Sequence, residues 1–421
     1  MFKGFSTPRR VVITGFGCAT PIGIGREAFW ESLREGRSGT RTISGFDASG
    51  FKVRVAGEVE GLDVDSLLSP QDRKHVPRTV PLALLSATEA LSDAGIDPAT
   101  LDEEEQRAFG VVLGTGGGGL AFTERQFGHW FSGNEKKGSI YTIPSSTHGG
   151  LSSELSMRFS LHGLSHVIST GCTSSTDAIF YAAEHIALAR QERMLAGGVD
   201  SPIAPGILRG FEVMTVVTDK WNDEPQRASR PFSLDRSGIV IAEGSWIFVL
   251  EEYEAARRRG AEIYAEVAGY GATCDAYHRV RLEENGVEPA RAMTLALTDA
   301  GVRPDEVRYV NLHGTSTQLN DRIETRAVKI ALGDHAYSVP MSATKSQIGH
   351  PQGAAGAAGI ASALMTLKTG VVAPTINLDE PDPACDLNYT PNTAREHDVD
   401  VALCNCIGFG SKNSALVFRR V

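Results

Sequence analysis

The sequence predicts an α/β protein: two related halves built on a mainly parallel sheet with helices on both faces. Three observations carry that expectation. Short apolar runs alternate with longer stretches of helical period, the pattern left by strands joined through helical crossovers. A chain of 421 residues is too long for one simple core and long enough for two such units. The same order of features also occurs twice along the chain.

The strand-like runs are Val11–Thr14, Gly110–Gly114, Val167–Ser169, Ile247–Glu251, Ile263–Ala268, Val307–Leu312 and Val401–Cys404. Many are rich in β-branched residues and glycines cluster in the turns between them, which suits short buried strands. Val80–Ala94, Asp177–Arg190, Pro289–Ala300 and Ala354–Thr369 place apolar residues at helical spacing. In each half an early strand precedes a helix ending in Asp-Ala-Gly, at 93–95 and 299–301. A further strand then leads into a loop of unusual chemistry, TGGGG at 115–119 and HGTST at 313–317. Later, a small-residue turn opens another helix: TGCTSS in the first half, GHPQGAAGAAG in the second. The charged run Glu251–Gly260 marks the expected boundary, giving halves of 1–258 and 259–421. Asp102–Gln106 and Arg257–Arg259 are expected on solvated faces. TGFGCATPIG at 14–23 lacks GxGxxG spacing and a closing acidic residue, so no dinucleotide site is expected there.

Apolar residues make up 41% of the chain and charged residues 22%, an ordinary globular balance. A net charge of −10 argues against general nucleic-acid binding. The short basic N-terminus runs into a strand without an apolar signal segment, and no run is long enough to span a bilayer. Neither export nor a membrane span is expected, and the location is read as cytoplasmic. The six cysteines, Cys18, Cys172, Cys274, Cys385, Cys404 and Cys406, show no CxxC pair and no histidines at zinc spacing. They are read as reduced thiols, with no metal site. Cys404 and Cys406, two apart in one strand, are expected to point to opposite faces.

Cys172 stands between a short strand and the helix beginning near Asp177. Unpaired N–H groups and the helix dipole favour an anion at such a turn, and the thiolate is the nucleophilic form of cysteine. A small buried hydrophobe is the plainer reading of any free cysteine. Two histidines and a lysine in glycine-rich loops after strands favour the reactive one: His313, Lys345 and His350. In α/β sheets such loops gather at the carboxyl edge, where sites form.

Cys172, His313, Lys345 and His350, in these contexts and this order, resemble the β-ketoacyl carrier-protein synthases, the condensing enzymes of fatty-acid and polyketide assembly. VVITGFGCATPIG at 11–23, ASRPFSLDRSGIVIAEG at 228–244 and NCIGFGSKN at 405–413 fit the same family, so the resemblance covers nearly the whole chain. It implies the thiolase fold, two pseudo-duplicated halves in a five-layered αβαβα sandwich, normally dimeric. It implies that Cys172 takes an acyl group from a carrier thiol and that His313 and His350 donate N–H groups to the enolate oxygen of decarboxylating malonyl-carrier. By the same resemblance the backbone N–H groups of Cys172 and Phe409 form a second oxyanion hole, with Phe409 as gate. Glu324 is expected to pair with Lys345, and together they hold the two histidines. Thr315 and Thr317 match residues that bind the carrier's phosphopantetheine arm, with a glycine turn carrying capping hydroxyls as the plainer reading. Arg73 and Lys74 match cations that meet an acidic acyl carrier protein, with a solvated helix face as the alternative. No intrinsic cofactor is implied; the phosphopantetheine arm arrives as substrate.

TGCTSS followed by Asp177 is similar to the α subunit of bacterial type II polyketide synthases, which pairs with a homologous chain-length factor lacking the cysteine. GFGSKN and Gly359, the latter standing where many relatives carry glutamate, point to another branch, such as synthases of reduced or polyene chains. Rival readings are a homodimeric fatty-acid elongating enzyme, a thiolase using Cys404 or Cys406 as second thiol, a starter-type Cys–His–Asn enzyme, and a non-catalytic scaffold or chain-length partner. The Lys345 to His350 motif argues against the thiolase reading, and the Gly-His-Pro context of His350 against the starter-type reading.

Overall fold

The computed structural model describes residues 8–410 and 412–421. Residues 1–7 and Ser411 of the GFGSKN loop lie outside the described residues. One mixed sheet runs through the molecule. Its strands are β1 (Val11–Thr20), β2 (Phe109–Gly114), β3 (Ser165–Ile168), β4 (Arg193–Asp200), β5 (Gly244–Glu252), β6 (Ala265–Cys274), β7 (Tyr309–Asn311), β8 (Met341–Ser342), β9 (Val401–Gly408) and β10 (Lys412–Arg419). The short strand Gly23–Ile24 folds back on β1.

Strand order makes the doubling explicit. The path is β8-β7-β9-β10-β6-β1-β5-β4-β2-β3, so each half reads first, fifth, fourth, second, third from the centre outward. The halves join where β1 and β6 pair antiparallel at Val12–Glu266 and Ile13–Ala265. The expected mainly parallel sheet is corrected: only β4-β2-β3 and β9-β7-β8 run parallel. The remaining pairs are antiparallel, and the tight β9–β10 connection, pairing Gly408 with Lys412, enforces this in the second half. β4 and β10 escape sequence reading because glycines or polar residues interrupt their apolar runs.

Five helices complete the layers: α1 (Thr79–Asp93), α2 (Ser174–Ala187), α3 (Val287–Ala300), α4 (Gln318–Leu332) and α5 (Ala355–Thr369). α1 covers β1 and β5, and α3 covers β6 and β10 from the equivalent side. α2 and α5 pack on each other and touch strands of both halves, forming the middle layer. A helix enclosed this way needs no polar stripe, and α5 is buried almost all round with small residues at the crossing. A Cβ on Gly356 would fall 2.0 Å from Thr176 Oγ1, so α2 and α5 meet at backbone distance.

TGFG is part of a strand, not a loop, and its glycines admit α1. Added Cβ atoms on Gly15 and Gly17 would meet the Ala90 and Ser86 carbonyls at 2.4 and 2.2 Å. Gly269 and Gly271 of β6 meet the Ala296 and Ala292 carbonyls of α3 at 2.4 and 2.1 Å. In both halves the aspartate of Asp-Ala-Gly accepts from the residue between the glycines: Phe16 N to Asp93 at 3.1 Å, Tyr270 N to Asp299 at 3.0 Å. The helices thus lie close enough to hydrogen-bond the strand backbone.

Two smaller expectations are corrected. Cys404 and Cys406 share a face, because side chains two apart in a strand do. Arg259 does not sit on a solvated face; it is bound to the buried Glu251 and to the Ala94 carbonyl. All six cysteines are free. No helix among the described residues is long and apolar enough to cross a membrane.

Gly17→Ala and Gly271→Ala are each expected to lower stability by about 1–3 kcal/mol, the usual effect of overpacking. Urea unfolding with unchanged midpoints would contradict the close strand–helix contact.

Candidate active site

Cys172 lies on the 3-10 turn Gly171–Thr173 that feeds α2, and it is buried. Gly171 turns the chain with φ 74°. Asp177, one turn into α2, accepts from Thr170 Oγ1 at 2.5 Å and Thr173 Oγ1 at 3.0 Å. The same carboxylate accepts from Tyr270 Oη at 2.8 Å and from Ser414 Oγ. The nucleophile turn is therefore anchored to β6 and β10 of the other half.

The backbone N–H groups of Phe409 and of Cys172 itself are directed at the Cys172 sulfur. The helix start does not depress this thiol, as the sequence led one to expect. Burial pushes it up to about 11, outweighing the two N–H groups and the positive charge of Lys345.

His313 follows β7, and two charged side chains grip its peptide unit. The Glu324 carboxylate of α4 accepts from the N–H groups of His313 and Gly314 at 2.6 and 2.7 Å. The Lys345 ammonium donates to the His313 carbonyl at 2.7 Å and lies 3.3 Å from its Nδ1. The expected direct ion pair of Lys345 with Glu324 is corrected. Each binds the His313 loop instead, and Glu324 also accepts from Asn405 Nδ2 at 2.7 Å. Burial raises the Glu324 carboxyl to about 7 and lowers the Lys345 ammonium from its usual range.

His350 is fixed through its backbone: its N–H donates to the Val240 carbonyl at 2.7 Å, and its carbonyl accepts from Ala242 N at 3.1 Å. The 228–244 motif thus props the second half's site. Ser229 Oγ also donates to the Lys345 carbonyl at 2.6 Å, and Phe232 N donates to Asp321 at 2.9 Å.

The hydrogen bonds select the histidine tautomers. Gln352 N–H donates to His350 Nδ1 at 3.1 Å, so the proton of the neutral ring sits on Nε2. His313 Nδ1 faces the Lys345 ammonium, which can only donate, so its proton is likewise on Nε2; the Cys406 sulfur lies 3.4 Å from the same nitrogen. Burial and the nearby Lys345 charge hold both imidazoles far below the usual histidine range, hence neutral. The rings stand edge to face with centroids 5.4 Å apart.

Ligand-type atoms of Cys172, His313 and His350 lie within 4.8 Å of one another, a spacing that could hold a metal ion. Binding a soft metal ion there requires both rings to change tautomer and the thiol to lose its proton, so the arrangement suits two N–H donors converging beside a sulfur.

Other expected residues divide. Thr315 and Thr317 hydroxyls lie 2.9 Å apart beside the site, and Thr317 also caps α4 by accepting from Asn320 N at 3.2 Å. Arg73 and Lys74 are exposed, and Arg73 pairs with Asp65. Gly359 leaves room that the Asn311 side chain fills; a Cβ there would sit 2.3 Å from Asn311 Oδ1. Asn311 in turn donates to Tyr309 Oη and Thr344 Oγ1. Cys406 and Asn405 were missed as site residues. Cys406 donates to the Cys172 carbonyl at 3.2 Å, and burial holds its thiol protonated. Strand alternation, correctly applied, puts Cys406 on the face of Cys404, but no sequence signal places it against His313.

Residues 8–256 match the family model for the beta-ketoacyl synthase N-terminal domain, and residues 264–379 match that for the C-terminal domain. The chain belongs to the beta-ketoacyl synthase family. It is 42% identical to the tetracenomycin polyketide synthase ketoacyl synthase alpha subunit of Streptomyces glaucescens, covering 98% of this chain and 97% of that one. It is 39% identical to a 3-oxoacyl-[acyl-carrier-protein] synthase 2 of Synechocystis, covering 98% of each. A solved type II polyketide ketosynthase, in complex with its acyl-carrier protein and bound to a hexaketide, superposes with a TM-score of 0.89 at 34% identity, covering 98% of this chain and 100% of that one. The ishigamide ketosynthase/chain length factor gives 0.89 at 32%, with the same coverage. The fold is accordingly the thiolase fold, and the protein is an acyltransferase, a ketosynthase of polyketide or fatty-acid assembly.

With the thiol at about 11, iodoacetamide alkylation of Cys172 is expected to rise about tenfold per pH unit from pH 7 to 10, since the thiolate reacts. A rate that levels off near pH 7 would contradict the buried-thiol account.

Proposed function

We propose that this chain catalyses decarboxylative Claisen condensation of malonyl-carrier with an acyl chain held on Cys172, in type II polyketide biosynthesis. The observation that carries the chemistry is the pair of neutral histidines presenting Nε2–H beside the sulfur. In the first half-reaction the Cys172 sulfur attacks the acyl thioester, and the carrier thiol leaves. Malonyl-carrier then loses carbon dioxide, and charge gathers on its thioester oxygen. Donors fixed before that charge appears stabilise it without rearrangement. His313 and His350 are such donors. The resulting carbanion attacks the acyl-cysteine carbonyl, whose oxygen lies toward the N–H groups of Cys172 and Phe409. Collapse releases the Cys172 sulfur and leaves a β-ketoacyl chain on the carrier.

In this reading Lys345 and Glu324 hold His313, and Thr315 and Thr317 receive the phosphopantetheine arm. The halves 1–258 and 259–421 supply the nucleophile and the histidines respectively. Arg73 and Lys74 are the proposed cations for the acidic acyl carrier protein. The 42% identity to a polyketide ketoacyl synthase alpha subunit and the TGCTSS-x-D motif support a polyketide chain and a chain-length-factor partner, while GFGSKN and Gly359 support a chain of reduced or polyene type. The 39% identity to synthase 2 enzymes supports a second reading, homodimeric fatty-acid elongation.

His350→Ala is expected to cut malonyl-carrier decarboxylation about 10²–10³-fold, the loss typical of one oxyanion donor, while acyl loading of Cys172 persists. Equal loss of loading and decarboxylation would contradict the division of labour. For the polyketide reading, the chain should co-purify with a homologous subunit lacking the cysteine. Full activity of the lone homodimer on ordinary acyl chains would favour fatty-acid elongation instead.

A further inference from the structure

Asp200 is the last residue of β4, almost completely buried, and opposite no cation among the described residues. A buried carboxylate is costly unless hydrogen bonds satisfy it. Here four donors converge on it. Gly116 N and Gly353 N donate to Oδ2 at 2.7 and 2.6 Å, and Gly117 N and Thr115 Oγ1 donate to Oδ1 at 2.9 and 2.8 Å. Gly353 belongs to the loop after His350; the other three belong to the TGGGG loop of the first half. One carboxylate therefore pins together the two loops that border the site.

The loop geometry gives the bond to Gly353 a specific consequence. Gln352 has φ 47°, a left-handed conformation that a residue with a side chain adopts only when its surroundings hold it. In that conformation its N–H donates to His350 Nδ1. The next N–H, that of Gly353, ends on Asp200. Gly353 itself leaves no space for anything larger: a Cβ there would lie 2.2 Å from Gly116 N. On its other side Asp200 steadies Thr115, whose carbonyl accepts from Ser174 Oγ at the start of the nucleophile helix, at 3.2 Å. Glu324 plays the same part in the second half, binding the first N–H groups of the HGTST loop.

We propose that Asp200 is a positioning residue: by holding Gly353 N–H it keeps the strained Gln352 turn closed, and so fixes His350 in the tautomer that presents Nε2–H to the substrate oxygen. This rests on the condensation chemistry proposed above. Removing the negative charge leaves Cys172 no less reactive, since that charge opposes thiolate formation. Asp200→Asn keeps the shape but offers an amide in place of one acceptor oxygen, so part of the clamp is lost. Loop opening then lets His350 populate both tautomers.

The test compares wild type and Asp200→Asn on malonyl-carrier decarboxylation, on iodoacetamide alkylation of Cys172, and by NMR of protein carrying nitrogen-15-labelled histidine. The expected result is decarboxylation down about tenfold to a hundredfold, less than the effect of losing a donor outright. Alkylation should stay within about threefold of wild type or rise, and the His350 signals should move from Nε2–H toward a tautomer mixture. Decarboxylation unchanged in Asp200→Asn, or decarboxylation and alkylation falling together, overturns the proposal. If Asp200→Asn does not fold, the wild-type spectrum still decides: a His350 ring protonated on Nδ1 overturns it. Wild-type protein with no decarboxylation at all would instead overturn the reaction on which it rests.

Discussion

A buried carboxylate and a buried ammonium grip opposite ends of one peptide, the Gly314 N–H and the His313 carbonyl. Neither ion is satisfied by the other. Glu324 spends its lone pairs on backbone N–H groups and Asn405, and Lys345 spends its protons on the His313 carbonyl and ring. Burying such charges is expensive unless each finds fixed partners. The surrounding structure supplies them: β9 brings Asn405, α4 brings Glu324, and the 228–244 segment seats Lys345 through Ser229. What results is a neutral histidine that cannot rotate, with its one ring proton aimed at the space beside Cys172.

The doubled fold is what makes such a site affordable to build. Each half ends its second strand in a loop whose N–H groups point inward, and a carboxylate holds those groups: Asp200 for TGGGG, Glu324 for HGTST. The middle layer then brings the loops together. α2 carries Cys172 at its start, α5 follows His350, and their crossing at Gly356 is close enough to bring both starts to one point. Asp177 adds the bonds from the Cys172 turn to Tyr270 and Ser414 of the opposite half. Nucleophile and donors come from different halves, and their spacing is set by backbone packing, not by flexible side chains.

Features encoded in short stretches were legible in the sequence. The helices at 80–94 and 354–369, the Cys172 turn and the His313 and His350 loops each announce themselves by local period or residue type, and their joint order carried the family. Features that depend on distant segments were not. The alternation of strands and helices suggested parallel pairing, but antiparallel pairing of β1 with both β5 and β6 is fixed by where long connections return. The strand expected over Val11–Thr14 runs on through TGFG to Thr20, because the glycines there serve α1, which lies far along the chain. Glu324 was expected to pair with Lys345, whereas its carboxylate accepts from the His313 and Gly314 N–H groups and from Asn405, partners that only the tertiary structure brings to it. The Cys172 thiol was expected to be acidic from its helix position alone; burial by both halves reverses that sign.

The central claim is that a single sulfur, that of Cys172, carries the acyl chain and is relieved of it by a decarboxylating partner. Mass spectrometry of the intact chain tests this most directly, with acyl-carrier added first and malonyl-carrier second. The account predicts one acyl mass on the peptide containing Cys172, then its disappearance as one carbon dioxide is released for each acyl group lost. Acyl mass on a different residue, or carbon dioxide release while Cys172 stays acylated, would contradict it.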